Sequence, residues 1–186
     1  MAKPINLIVA CAENRVMGRG GRLPWHIPED FGWFHEHTER QVVVLGRICY
    51  QTWPRVDRDG RQPIVITSHP EIARPGTEVA SSVPAALDIV ATLPGETFVC
   101  GGQRIFEETL PLASRLYLTL VHAEVAGDVY FPEWRHLSWR EVSRRDGHDE
   151  NYRYTFFVLD RSWSPAGAIG GLGLGETAQG LMPNGR

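Results

Sequence analysis

Apolar runs of strand length, most of them without polar alternation, constrain this chain more than any other feature. They are Ile5 to Cys11, Val42 to Leu45, Ile64 to Thr67, a short run near Val79, Thr97 to Cys100, and Arg115 to Val121. A strand that is apolar on both faces must be covered on both, as in a parallel sheet between helical layers. Helical candidates fill the intervals: Pro28 to Glu39, Arg47 to Trp53, Val83 to Val90 behind a Ser82 cap, and Gln103 to Leu110. Alternation of strand and helix is α/β organisation. Later, Trp139 to Arg145 and Tyr152 to Leu159 alternate across an Asp146-Gly147-His148-Asp149-Glu150 connection and read as an antiparallel hairpin. The expected fold is α/β: a three-layer sandwich with a central mixed, mostly parallel sheet of about eight strands, an antiparallel C-terminal hairpin and about four helices. One domain is expected over residues 1–162, since 186 residues are too few for two large ones. Residues 163–186 are Gly-rich, have no period that could bury a face, and are expected to form a flexible tail.

The segment from Leu23 to Phe34, Leu-Pro-Trp-His-Ile-Pro-Glu-Asp-Phe-Gly-Trp-Phe, delivers an acid into an aromatic and aliphatic surface. Pro28 suits the first turn of a helix, where its missing N–H is not needed, and Glu29 and Asp30 suit the positive end of the dipole. Asp30 and Phe34 are four apart on one helical face, with Phe31 between them in angle. On this segment alone, Asp30 is either a helix-stabilising acid or a carboxyl group facing an apolar pocket.

Charge narrows the class of partner. With 42% hydrophobic residues, 22% charged residues and a net charge of −3, no strongly basic face is expected. Nucleic acid and membrane surfaces are therefore not expected partners, and a small molecule is. No apolar stretch approaches a membrane span, and the N-terminus enters a strand almost at once, which leads to an expected cytoplasmic location. Cys11, Cys49 and Cys100 are odd in number and widely spaced, so neither a disulfide framework nor a metal site is expected.

Two strand-to-helix junctions carry glycine. Val99-Cys100-Gly101-Gly102-Gln103-Arg104-Ile105-Phe106 lets backbone approach a ligand and aims helix N–H groups at an anion, although a Gly-Gly at a strand end is often only a tight turn. Leu45-Gly46-Arg47-Ile48-Cys49 repeats the arrangement and adds a guanidinium. Together they could clamp a pyrophosphate from both sides, without the G-x-G-x-x-G fingerprint of the classical dinucleotide fold. Cys49 falls in the first turn of the second helix beside Arg47, so it is either the most reactive thiol of the three or a small buried residue. Asn14 to Arg22, with Gly18, Gly20 and Gly21, is longer than most connections in a compact domain, as functional loops are.

The order and spacing of these pieces resemble a dihydrofolate reductase of the chromosomal bacterial type from about Ile5 to about Asp160. The resemblance rests on Ala10, Asn14-Arg15-Val16-Met17-Gly18, the Leu23 to Phe34 block, Leu45-Gly46-Arg47 and Gly101-Gly102. It continues through Leu116-Tyr117-Leu118-Thr119, Gly127-Asp128 and Phe131-Pro132. It implies hydride transfer from NADPH to dihydrofolate, giving tetrahydrofolate for one-carbon and thymidylate metabolism. It also implies inhibition by antifolates such as trimethoprim and methotrexate, and a monomer. By the same resemblance Asp30 is the pocket acid, Thr119 steadies it, Trp25 helps to hold water, and Leu23 sits with Trp25 at the hinge of the mobile loop. The substrate would meet Ile8, Val9, Asp30, Phe31, Phe34, Arg55, Arg61, Cys100 and Thr119. Arg61 would take the α-carboxylate of the glutamyl tail, with Arg58 as the competing assignment because the Pro54 to Gly60 loop is one residue longer than the family pattern. NADPH would meet Ala10, Met17, Gly18, Gly46, Arg47, Ile48, Cys49, Thr67, Ser68, Gly101, Gly102, Gln103, Arg104, Ile105 and Phe106, with Arg47 and Thr67-Ser68 near the 2′-phosphate.

Cys49, Cys100 and Ile48 depart from the residues common in the family at their positions. Two other readings compete. An NADPH-dependent pyrimidine reductase of the riboflavin pathway would share the fold, but lacks the aromatic-plus-acid pocket. A non-catalytic nucleotide-binding homologue would have no reason to keep Asp30, Thr119, Arg61 and both glycine junctions.

Overall fold

The computed structural model describes residues 3–162. The expected tail, 163–186, lies outside the described residues. Along the chain run β1 (Asn6–Ala12), β2 (Val16–Gly18), α1 (Pro28–Thr38), β3 (Val42–Gly46), α2 (Arg47–Thr52), β4 (Gln62–Ile66) and β5 (Glu78–Ala80). Then come α3 (Val83–Thr92), β6 (Thr97–Gly101), α4 (Gln103–Thr109), β7 (Arg115–Val121), β8 (Val129–Tyr130), β9 (Trp139–His148) and β10 (Arg153–Arg161). The main sheet has eight strands in the order β5-β4-β3-β6-β1-β7-β10-β9. It is parallel from β5 to β7, and β10 then pairs antiparallel with both β7 and β9.

The unalternated apolar runs are explained by the two core clusters. Leu7, Val9 and Cys11 of β1, with Val42 and Val44 of β3, face one side, where they meet Val83, Ala86 and Val90 of α3 and Ile105 and Phe106 of α4. Ile8, Val43 and Leu45 face the other, where they meet Tyr50 of α2 and the half-buried Trp33 and Phe34 of α1. Successive strand residues thus enter opposite cores, and three layers result.

Three local features differ from expectation. The hairpin strands continue through Asp146, Gly147 and His148, where a turn was expected, and the connection shrinks to 149–152. Gly147 makes that possible: a Cβ there would lie 2.4 Å from the Tyr154 ring. Helices α1, α2 and α4 end one residue earlier than expected, and α3 runs two residues further, capped by Ser82 Oγ accepting from the Ala85 N–H. The Asn14–Arg22 segment is not wholly loop, because Val16–Gly18 pairs with Val129–Tyr130 as a second, two-stranded sheet.

That small sheet is closely fitted. The Asp128 carboxylate accepts the Gly20 N–H, and Asn14 donates to the Val125 carbonyl at 2.9 Å. A Cβ on Gly127 would stand 2.2 Å from Val16 Cγ1 and 2.5 Å from the Gly18 carbonyl oxygen. A backbone oxygen cannot move aside without parting the strands. Gly127→Ala should therefore cost about 1–3 kcal/mol in denaturant unfolding. An unchanged midpoint would show that the segment yields freely.

Candidate active site

The parallel strands end at one wall of a cleft of about 1970 Å³, where Val9 and Ala10, Gly46, Thr67 and Ser68, Cys100 and Gly101, and Thr119 all face the same space. Ligands of open α/β sheets bind at the carboxyl ends of the strands. A single small-molecule site usually measures roughly 300–1,000 Å³, so this cleft has room for two ligands or for one long one.

Helix α1 brings Asp30 to the middle of the cleft. Pro28 occupies its first turn and Ile27 precedes it without a side-chain cap. Glu29 on the same turn is held by Arg145 and by the Tyr154 hydroxyl, which ties the start of the helix to the hairpin. Asp30 is 8% exposed. Its Oδ1 accepts a hydrogen bond from Thr119 Oγ1 on β7 at 2.6 Å. Burial pushes its carboxyl up to about 6, and the Thr119 bond opposes the shift only in part. No compensating cation contributes, so Asp30 is poised to hold or release a proton near neutral pH.

Trp25 lines the cleft with Asp30, and its buried Nε1 has no hydrogen-bond partner within the protein. A buried indole N–H is ordinarily paired, so this donor fits a polar ligand atom or a water molecule. Ile8, Val9, Phe31, Phe34 and Cys100 complete the apolar wall, with Leu23 at the rim. The Phe34 ring packs edge-on against Trp53, with centroids 5.1 Å apart.

The other half of the cleft is lined by Ala10, Met17, Gly18, Arg47, Ile48, Cys49, and by Gly101, Gly102, Gln103, Arg104, Ile105 and Phe106. Helices α2 and α4 start after Gly46 and Gly102, and neither has a side-chain cap, so their first N–H groups are free to meet an anion. Gly101 has φ +112, a conformation that favours glycine. Thr67 and Ser68 follow β4 and line the same cleft. The two arginines lie along their own helices, Arg47 donating to Gln51 at 3.2 Å and Arg104 to Glu108 at 2.9 Å. A diphosphate-bearing ligand with an anionic extension fits this donor set.

Cys49 is half-buried at the edge of the cleft. Its sulfur faces Gly101 and Gly102, and burial raises the thiol above its ordinary range; Arg47 is not among the groups that shift it. Cys11 and Cys100 are raised further by burial. A thiol reagent should accordingly label all three slowly in the native protein and quickly after denaturation, by mass-spectrometric mapping. Rapid labelling of native Cys49 would contradict this placement.

Arg61 stands behind the cleft wall. It was expected to face the ligand, yet its side chain is fully buried and does not line the cleft. Arg55, Arg58 and Asp59 line it instead. Arg61 is fixed by Thr38, His35, Asp59 and the Arg58 carbonyl, and its guanidinium stacks over Trp53 at 5.1 Å. Every other residue expected at the site borders the cleft. Sequence reasoning missed Trp53, His35 and Asp59, and also Ser81, Ser82 and Val83 beyond Ser68. Only Trp53 carried a signal, as an aromatic residue ending a helix next to the Phe34 pocket.

Comparison with known proteins covers the same span. A family model for dihydrofolate reductase matches residues 4–161. The dihydrofolate reductase of Neisseria meningitidis serogroup B is 38% identical over 154 residues, spanning 82% of this chain and 94% of the relative. That of Bacillus subtilis is 36% identical over 160 residues, spanning 84% and 94%. The solved structure of dihydrofolate reductase from Enterococcus faecalis, complexed with NADP(H) and RAB-propyl, superposes with a TM-score of 0.77 at 32% identity, covering 87% of this chain and 98% of that one. Since the matched span takes in the whole sheet, both glycine junctions and the helix that carries Asp30, the chain belongs to the dihydrofolate reductase family.

Proposed function

We propose that this chain reduces dihydrofolate to tetrahydrofolate with NADPH in the cleft described above, and that Asp30 is the acid on which the reaction depends. The observation that carries the assignment is a single buried carboxyl group, pushed up to about 6 and bonded to Thr119, on the apolar half of a cleft whose other half presents two uncapped helix starts. NADPH supplies the hydride when bound. The protein has to hold substrate against it, keep bulk water out and deliver a proton to the pterin ring. Asp30 would accept hydrogen bonds from the pterin amino group and ring nitrogen. Thr119 would fix the carboxyl orientation, and the unpartnered Trp25 Nε1 would hold a water molecule in the cleft. Phe31, Phe34, Ile8 and Val9 would sandwich the ring system and keep the acid desolvated, which is what raises it.

The glycine junctions at Gly46 and Gly101-Gly102 would cradle the cofactor's diphosphate, with Ile105 and Phe106 packed beneath. Met17, Gly18 and Leu23 would border the nicotinamide end. Arg47, Thr67 and Ser68 would meet the 2′-phosphate. Among the described residues no helix is long and apolar enough to cross a membrane. The enzyme is proposed to act as a monomer, and the free thiols of Cys11, Cys49 and Cys100 accord with a reducing, cytoplasmic setting. The test is a mixing experiment: NADPH absorbance should fall when dihydrofolate is added and not when a ribosylated pyrimidine is. The opposite pattern would overturn the reading.

A further inference from the structure

The guanidinium of Arg61 is nearly saturated inside the protein. Its Nε donates to Thr38 Oγ1 at 3.0 Å, Nη1 to the Arg58 carbonyl at 3.2 Å and to Asp59 Oδ2 at 3.0 Å, and Nη2 meets His35 Nδ1 at 2.7 Å. An arginine has five N–H groups, and these contacts use four of them. A carboxylate that binds it bidentately needs two side by side. One internal partner must therefore leave.

The partners differ in how readily they can do so. Thr38 is fully buried, and the Arg58 carbonyl closes a backbone turn by accepting the Arg61 N–H. Asp59 has a side chain 55% exposed and lines the cleft. It sits at the first central position of that turn with φ +57, followed by Gly60 with φ +70, the pattern of a type I′ turn. This unusual backbone folds the Asp59 carboxylate back onto Arg61 two residues later. Asp59 thus borders the cleft and touches the buried cation at once.

We propose that Asp59 is an internal stand-in for the substrate's carboxylate: it occupies Arg61 in the free enzyme and is exchanged for the α-carboxylate of the glutamyl tail on binding. The inference rests on the reading that Arg61 takes that carboxylate. Asp59 is then a specificity-determining residue. Competition with it weakens every ligand that needs Arg61 and leaves ligands without a carboxylate unaffected, so the exchange biases the cleft against tailed ligands relative to compact ones. His35, which also lines the cleft, keeps Nη2 oriented throughout.

The test uses the full chain without cofactor, so that dihydrofolate binds without turning over, with tryptophan fluorescence as the signal. Asp59→Asn is the appropriate variant, because asparagine tolerates positive φ and removes the charge alone. It should bind dihydrofolate about three- to fivefold more tightly, the scale of an ion pair open to solvent on its acidic side. Trimethoprim, which has no carboxylate, should bind within about twofold of wild type. Arg61→Lys should weaken dihydrofolate by at least about tenfold and spare trimethoprim. If Arg61→Lys weakens dihydrofolate but Asp59→Asn does not tighten it, the exchange is wrong and the Arg61 assignment stands. Equal tightening of both ligands by Asp59→Asn would mean a looser cleft and also overturn the exchange. If a folded Arg61→Lys binds dihydrofolate normally, the Arg61 assignment itself fails. Asp59 is an exposed turn residue, so its arm does not depend on whether Arg61→Lys folds.

Discussion

Asp30→Asn should fold, bind NADPH and lose about 10²- to 10⁴-fold of its dihydrofolate turnover at neutral pH, the range that a positioned acid contributes. Asparagine keeps the shape of the side chain and can still accept from Thr119, but it cannot hold or relay a proton. The deficit should shrink in acid, where solvent can protonate the pterin directly. Turnover within a few-fold of wild type at neutral pH would remove Asp30 from the mechanism. The same variant should be more stable than wild type in neutral solution. A carboxyl whose folded value is raised from 3.8 to about 6 holds its proton more tightly in the folded state. The stability this gives is present below the unfolded value and is lost as pH rises through the folded one. Above about pH 7 the buried charge then costs about 3 kcal/mol, which asparagine avoids. The stability gap between variant and wild type should therefore open between about pH 4 and pH 7. A gap independent of pH would show that burial does not perturb Asp30.

Cofactor choice is the second large effect. NADPH should be preferred to NADH by at least about tenfold, because the hydrogen bonds proposed from Arg47, Thr67 and Ser68 to a charged phosphate have no counterpart in NADH. Arg47 is exposed and rests on Gln51 at 3.2 Å, so it can swing to a ligand at little cost. Arg47→Ala should narrow the preference by raising the KM for NADPH while leaving that for NADH unchanged. An equal loss with both cofactors would place the 2′-phosphate elsewhere.

The parts of this molecule that were legible in the sequence are those set by local pattern. Runs such as Val42 to Leu45 had to lie between two cores, and they do, with alternate residues in opposite clusters. Pro28-Glu29-Asp30 announced a helix start, and the spacing of Asp30, Phe31 and Phe34 placed all three on the cleft. What was missed depends on contacts between distant segments. Val16–Gly18 and Val129–Tyr130 are too short to show a period, and their pairing arises because Gly127 lets two backbones meet. The Asp146-Gly147-His148 stretch has the composition of a turn, yet the Tyr154 ring fills the space left by the glycine and the ladder continues. That Thr38 and His35 of α1 enclose Arg61 was not legible either, since nothing local reveals it. Cys49 was ambiguous because its reactivity depends on how α2 turns its sulfur, and it turns toward Gly101 and Gly102.

The central claim is that one buried carboxyl group governs proton supply in this cleft, and its titration tests that most directly. In carbon-13-labelled protein, the side-chain carboxyl signal of Asp30 can be identified by its absence from Asp30→Asn and followed against pH by NMR. It should titrate with a midpoint of about 6, and kcat/KM for dihydrofolate should break at the same pH. A midpoint in the ordinary range near 3.9, with kcat/KM indifferent to it, would contradict the account.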